Sequence, residues 1–285
     1  MKTKLFLITN LLFLCVCGNA QSGWTRAKNS GYFKLAAYMI AGDQYYGVNG
    51  NFNAGANNYY QQALTVYGEY GITKNITAIV NYPFLKFQHF EGYSNSIGTG
   101  NPQVELKFSV YKIIPVSFSV GAEIPISAQD NFIYAKTPNP LGSYDYYNLP
   151  TGYPDFSYWG TLAVSGSWGN IPGWTSLFTQ YIVRGNGYSN QLKTGFEIGY
   201  RWAPQFYTNA RLVGFFQTQK NIQAKAGSFT NGQGTEFTTL GFGAGYKFSK
   251  KFTATFDYQF YNDLLVSRKN VYSTPFFQLG IAAEL

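Results

Sequence analysis

The chain has 285 residues, of which 12% are charged and 19% aromatic, with 25 Tyr and 25 Phe, and its formal net charge is +8. About a quarter of an ordinary soluble protein is charged, so this share is roughly half the usual one, and the aromatic content excludes a disordered chain. The basic residues are scattered singly, with short pairs only at Lys250-Lys251 and Arg268-Lys269, which argues against a nucleic-acid partner and for contact with anionic lipid or solvated loops.

At the start, Lys2 and Lys4 precede an apolar run from Leu5 to Val16, and Gly18-Asn19-Ala20 forms a small-residue exit before Gln21. This is the pattern of a secretory signal peptide, so residues 1–20 are expected to be removed and 21–285 to form one domain. The run is shorter than the about 20 residues a spanning helix needs. Cys15 and Cys17 both fall inside it, so the remaining chain would hold no disulfide, thiol nucleophile or thiolate metal site. The bulky Val16 before Cys17 argues against a lipoprotein.

Beyond residue 20 the apolar period is two, the period of strands. A first strand is predicted near 31–41. Residues 59–71 and 76–90 follow, joined by Ile72-Thr73-Lys74-Asn75. Pro83 interrupts the latter, and its apolar phase shifts from Val80 and Tyr82 to Leu85 and Phe87, which predicts a bulge. In NPQVELKFSVYK, Val104, Leu106, Phe108 and Val110 alternate with Gln103, Glu105, Lys107 and Ser109; in PVSFSVGAEIPIS, Val116 to Ile126 alternate with Ser117, Ser119, Gly121 and Glu123. The short link Lys112-Ile113-Ile114 makes these an antiparallel hairpin. The unit recurs at 156–168 with 174–183, 191–202 with 205–217, and 236–248 with 252–262. A last strand begins near 276, with Phe277, Leu279, Ile281, Ala283 and Leu285 on one face and Gln278, Gly280, Ala282 and Glu284 on the other.

Twelve such strands, an even number, predict an all-β fold: a transmembrane antiparallel up-and-down β-barrel, in the outer membrane of a Gram-negative bacterium and surrounded by its lipid. Short turns, expected to be periplasmic, follow even-numbered strands. Longer loops, expected to be extracellular, follow odd-numbered ones at 42–58, 91–101, 128–155, 184–189, 218–235 and 263–274. Trp168 and Trp174, Trp202 and Phe206, and Phe248 and Phe252 flank short turns, where an interfacial aromatic girdle belongs. A soluble β-sandwich is the alternative, although its hairpins are rarely all this long.

Alternation places Glu69, Glu105, Lys107, Glu123, Lys193, Glu197, Arg201, Arg211, Lys247, Asp257 and Glu284 on the interior face. Facing lipid at the midplane, a Lys or Arg would cost about 2–4 kcal/mol; inside, such groups brace the wall as ion pairs, line a polar conduit, or do both. A barrel of about 8 strands is filled by side chains and one of 16–18 holds an open channel, so this one is expected to be narrow, selective or partly plugged. The 128–155 loop, with Tyr134, Tyr144, Tyr146, Tyr147 and Tyr153, is the candidate constriction, or else a stiff surface loop. His89 is the only histidine and sits in no catalytic motif, and no metal or cofactor is expected. Gly241-Phe242-Gly243-Ala244-Gly245 has no following helix and no Walker lysine, so it is not a nucleotide loop; its glycines face inward and make room for a neighbour.

Gln278-x-Gly280 followed by Ala283 and Leu285 resembles the carboxy-terminal sorting signal of outer-membrane barrels, which implies recognition by the barrel-assembly machinery. It ends in Leu285 where that signal usually has an aromatic residue. VYGEYGITKNITAIVNYPFLKF followed by GTGNPQVELKFSVYK is similar to the outer-membrane transporter family named after the meta-pathway of phenol degradation, and more loosely to long-chain fatty-acid channels. Asn101 stands where that pattern usually has an aspartate. The resemblance implies a channel for passive uptake of a small apolar or aromatic solute, without naming the solute. A non-conducting surface-exposed barrel with a binding or structural role, and an outer-membrane lipid-modifying enzyme, are the competing readings.

Overall fold

A computed structural model describes residues 21–285 apart from 54–56, 129, 186 and 220–232. The expected signal peptide and most of the 218–235 loop therefore lie outside the described residues. Twelve long strands build the wall: β1 (Gly31–Gly42), β2 (Tyr59–Gly71), β3 (Ile76–Phe90), β4 (Gln103–Tyr111), β5 (Val116–Glu123), β6 (Ser157–Ser167), β7 (Gly173–Arg184), β8 (Gln191–Ala203), β9 (Phe206–Gln217), β10 (Phe237–Lys247), β11 (Phe252–Asn262) and β12 (Phe276–Glu284). Each pairs antiparallel with its sequence neighbours, and β12 returns to β1 in a register running from Tyr32 opposite Glu284 to Ile40 opposite Phe276. At the foot of that seam Gly31 N donates to Leu285 O at 3.0 Å and Leu285 N to Gly31 O at 2.9 Å. The wall has no free edge, which is the condition for strands to sit in hydrocarbon, where no water can satisfy an unpaired backbone group.

The packing is inverted relative to a soluble protein. Leu35, Val110, Leu162, Leu177, Leu279 and Ile281 are each more than half exposed on the outer face, whereas Thr161, Ser176, Gln180 and Gln278 are buried on the inner one. A continuous apolar coat of this kind would be an aggregation surface in water and is the ordinary surface of a wall in lipid. At the short-turn end Trp168, Trp202, Phe206, Phe248 and Phe252 are exposed, and the indoles of Trp168 and Trp202 donate to Thr175 and Thr208 at 2.8 Å. These five occupy the expected girdle. Trp174 does not: it is buried inside the barrel, because its position on β7 shares the inward phase of Ser176 and Gln180.

The predicted irregularity at Pro83 is present. Leu64 pairs with Leu85 but Val66 pairs with Tyr82, so Thr65 alone stands opposite both Pro83 and Phe84. The inward phase of β3 accordingly switches from Thr77 to Gln88, both buried. β5 ends at Glu123 rather than running to Ile126, since Pro125 has no N–H to give the ladder.

At the opposite end the long connections carry small sheets of their own. Phe132–Tyr134 pairs with Tyr146–Asn148, and Tyr45–Tyr46 lies between Phe52–Asn53 and Val271–Tyr272. Beneath them Tyr45, Tyr59, Ile133, Leu149 and Tyr272 form a buried cluster with Phe90 and Tyr93 packed against it.

Candidate functional site

The inner wall between β7 and β1 is braced by a chain of charges. Arg211 Nη2 lies 2.5 Å from Asp257 Oδ1, and Lys34 Nζ lies 3.2 Å from Asp257 Oδ2 and 2.9 Å from Gln278 Oε1. Arg211 Nε is 3.1 Å from Glu197 Oε2, close enough for an ion pair though not aligned as a hydrogen bond. Glu197 instead accepts from Trp174 Nε1 at 2.9 Å and Asn209 Nδ2 at 3.0 Å. Arg211 on β9 must reach past β10 to meet Asp257 on β11. It does so over Gly243, which lies in register with Asn209 on one side and Asp257 on the other. A Cβ on Gly243 would overlap the Asn209 amide oxygen and come within 3.0 Å of Asp257 and 3.2 Å of Arg211. The inward glycine is the gap through which the ion pair closes.

The facing wall is polar in a different way. Glu105 accepts from Trp159 Nε1 at 2.9 Å, and Glu123 accepts from Asn101 Nδ2 at 3.0 Å and Gln103 Nε2 at 2.8 Å. Lys107 and Lys193 reach the lumen with no carboxylate within 4 Å among the described residues.

Both ends are narrowed. At the short-turn end, residues 21–30 enter the barrel ahead of β1. Arg26 N donates to Thr77 Oγ1 at 2.8 Å, and its guanidinium pairs with Glu69 at 2.7 Å and lies 4.9 Å from the Tyr32 ring. Further in, Gly23 N donates to Ser165 Oγ at 2.8 Å and Ser117 Oγ donates to Ser22 O at 3.0 Å. The segment thus crosses from β2 and β3 to β5 and β6. Its backbone is so close to the wall that a Cβ at Gly71 would overlap Ala27 O, and one at Gly23 would overlap Pro115 O.

At the long-loop end, residues 149–155 fold into the mouth. Gln88 Nε2 donates to Leu149 O at 3.0 Å and Pro150 O at 2.7 Å, Lys86 Nζ to Thr151 O at 2.6 Å, and Asn101 Nδ2 to Tyr153 O at 2.8 Å. The buried Asp155 carboxylate accepts from Arg184 Nε at 3.0 Å and Nη2 at 3.2 Å, while Arg184 lies 5.4 Å from the Tyr153 ring and 4.4 Å from that of Tyr188. Breaking a buried pair on one side leaves an uncompensated charge and costs roughly 3–5 kcal/mol. Asp155→Ala is therefore expected to release this strap from the rim. Limited proteolysis should cut the 128–155 loop faster in a barrel that still migrates as folded, and an unchanged cleavage rate would show that the pair does not hold the loop.

Between these ends lies a cavity of about 540 Å³. Of the eleven predicted interior charges, Glu105, Lys107, Glu123, Lys193, Glu197, Arg211 and Asp257 line it. Glu69 is sealed behind it against Arg26 and Tyr67. Lys247 and Glu284 pair with one another at 3.0 Å near the short-turn end, and Arg201 stands opposite Tyr207. Tyr153 lines the cavity, whereas Tyr134, Tyr144, Tyr146 and Tyr147 are exposed on the outer loops. Lys34 and Arg184 were missed although alternation carries both inward, Lys34 with Tyr32 and Ala36 and Arg184 at the end of β7 with Ser176 and Gln180, whereas Arg26 and Asp155 sit where strand period gives no guide.

Fold and lumen together define a closed twelve-stranded barrel of the outer-membrane type, apolar outside and charged within. No family model matches the chain, and no curated protein does either. Among solved structures, an outer membrane channel from Pseudomonas putida F1 aligns with a TM-score of 0.66 at 13% identity, over 94% of this chain and 99% of that one. The NanC porin aligns at 0.50 with 12% identity, over 89% and 100%. The translocator domain of the autotransporter NalP from Neisseria meningitidis aligns at 0.50 with 10% identity, over 99% and 96%.

Proposed function

We propose that the protein is a passive channel in the outer membrane of a Gram-negative bacterium, taking up a small solute through the barrel lumen. The observation that carries this reading is the luminal cavity, walled by charges where a merely structural barrel of this width could be filled with apolar side chains. Likeness to a protein described as an outer membrane channel, and to a porin, supports it, while the autotransporter domain shows that the same fold hosts other work. Export would be directed by residues 1–20, and assembly by recognition of the Gln278–Leu285 stretch. The strap at 149–155 and the segment at 21–30 keep the passage narrow, which favours a solute of modest size. His89 stacks on Tyr60 at 5.0 Å on the outer face, and no serine hydroxyl or carboxylate hydrogen-bonds to it among the described residues, which favours a channel over a lipid-modifying enzyme.

Purified protein inserted in planar lipid bilayers should give discrete conductance steps in simple salt. A folded, inserted barrel that passes no current, and no solute in liposome swelling, would overturn the channel in favour of a surface-exposed binding or structural barrel.

A further inference from the structure

The cavity wall is two-sided. Beside the charges of β7 to β11 the same wall carries an apolar patch, with Phe178, Ile182, Phe215, Phe237 and Tyr261 lining the cavity. Phe215 stacks on Phe237 at 5.0 Å, and Phe237 meets Tyr261 edge-on at 5.0 Å. Lys193 emerges from this wall, its ammonium 5.7 Å from both the Phe178 and the Phe215 ring centroids. Arg26, Lys34, Arg184 and Arg211 each have a carboxylate within 4 Å, but Lys193 has none among the described residues. Glu105 also lines the cavity, from β4, but is occupied by Trp159 and makes no ion pair with Lys193. The next inward position on β8 is Gln191. It is 2% exposed, it lines the same cavity, and its Nε2 is a buried donor with no hydrogen-bond partner among the described residues.

A buried donor without an acceptor forfeits the free energy of its lost hydration, and a cation held between two rings is only partly compensated by their quadrupoles. Two such donors on adjacent inward positions of one strand, bordered by a continuous aromatic face, make a receptor for an acceptor-only anionic group attached to a flat apolar body. We infer that Lys193 and Gln191 form a subsite for an organic monoanion, an aromatic carboxylate, whose carboxylate accepts from Nζ and Nε2 while its ring packs against Phe178, Phe215 and Phe237. This rests on the channel reading for its purpose but not for its test. It also narrows the solute from any small apolar compound to one that carries a negative charge.

The test is a saturation-transfer NMR titration of the detergent-purified full-length protein with sodium benzoate, sodium acetate and benzyl alcohol as probes. Benzoate is expected to bind at least about tenfold more tightly than either acetate, which lacks the ring, or benzyl alcohol, which lacks the charge. Lys193→Met should weaken benzoate by about tenfold or more and leave benzyl alcohol unchanged, and Lys193→Arg should retain most of the affinity. If Lys193→Met does not migrate as a folded barrel, Gln191→Leu carries the same comparison. Equal affinity for benzoate and benzyl alcohol, or benzoate binding indifferent to these substitutions, overturns the subsite. A barrel that conducts but ignores benzoate overturns the subsite and leaves the channel; one that binds benzoate in this pattern but never conducts does the reverse.

Discussion

Asp257→Asn is expected to destabilise the folded barrel by roughly 3–5 kcal/mol, because it leaves two buried cations facing a neutral amide. Asp257 takes Arg211 on one oxygen and Lys34 on the other, and the side chains of all three are largely shut away from solvent. Lys34 would keep its bond to Gln278 and Arg211 its unaligned contact with Glu197, but each would lose its contact with the Asp257 carboxylate. The measurement is urea unfolding of the protein in lipid vesicles, followed by intrinsic fluorescence. Replacing the charges together, as Lys34→Met, Arg211→Met, Asp257→Leu and Glu197→Gln, should lose much less than the single change, since the set then leaves no buried charge without its partner and a glutamine at 197 can still accept from Trp174. A single variant as stable as the parent would mean that water already compensates these charges, and the ladder would then be part of an open pore rather than a brace.

Such a test is available because much of the lumen could be read before the fold was known. A period of two assigns every strand residue a side, and a closed wall in lipid makes the assignment unforgiving, so Arg211, Asp257 and Glu197 fall inward by necessity. The run of glycines at 241, 243 and 245 was legible as space for a neighbour, and at Gly243 the neighbours are the Arg211–Asp257 pair and Asn209. What alternation could not supply was everything without a period. Arg26 and Asp155 lie in irregular segments that reach the lumen by folding back into the barrel ends, and only their hydrogen bonds with Thr77, Glu69 and Arg184 place them there. Trp174 failed for a different reason: proximity to a turn pointed to the girdle, while its phase pointed inward, and phase governs because Glu197 supplies the acceptor its indole needs.

Removing residues 21–26 together with Glu69→Gln is expected to raise single-channel conductance several-fold and to admit larger solutes, without dismantling the wall. The backbone of this segment crosses the short-turn end from Thr77 to Ser165, under the cavity that Gln21 itself lines. None of its residues belongs to β1–β12, so the ladder from Gly31 to Leu285 closes without it. Glu69→Gln accompanies the deletion because Arg26 is the ion-pair partner of that buried carboxylate, and an orphaned charge would confuse a stability defect with an opened pore. A gentler variant reaches the same end from the wall. Gly71→Val puts a β-branched side chain, well suited to a strand, where it must overlap Ala27 O, so the segment rather than the barrel is the part that yields. Both variants should migrate as folded barrels and conduct more than the parent. If both conduct as the parent does, current already flows past the segment along the β7–β12 side, and the narrow point of the channel lies at the 149–155 strap instead.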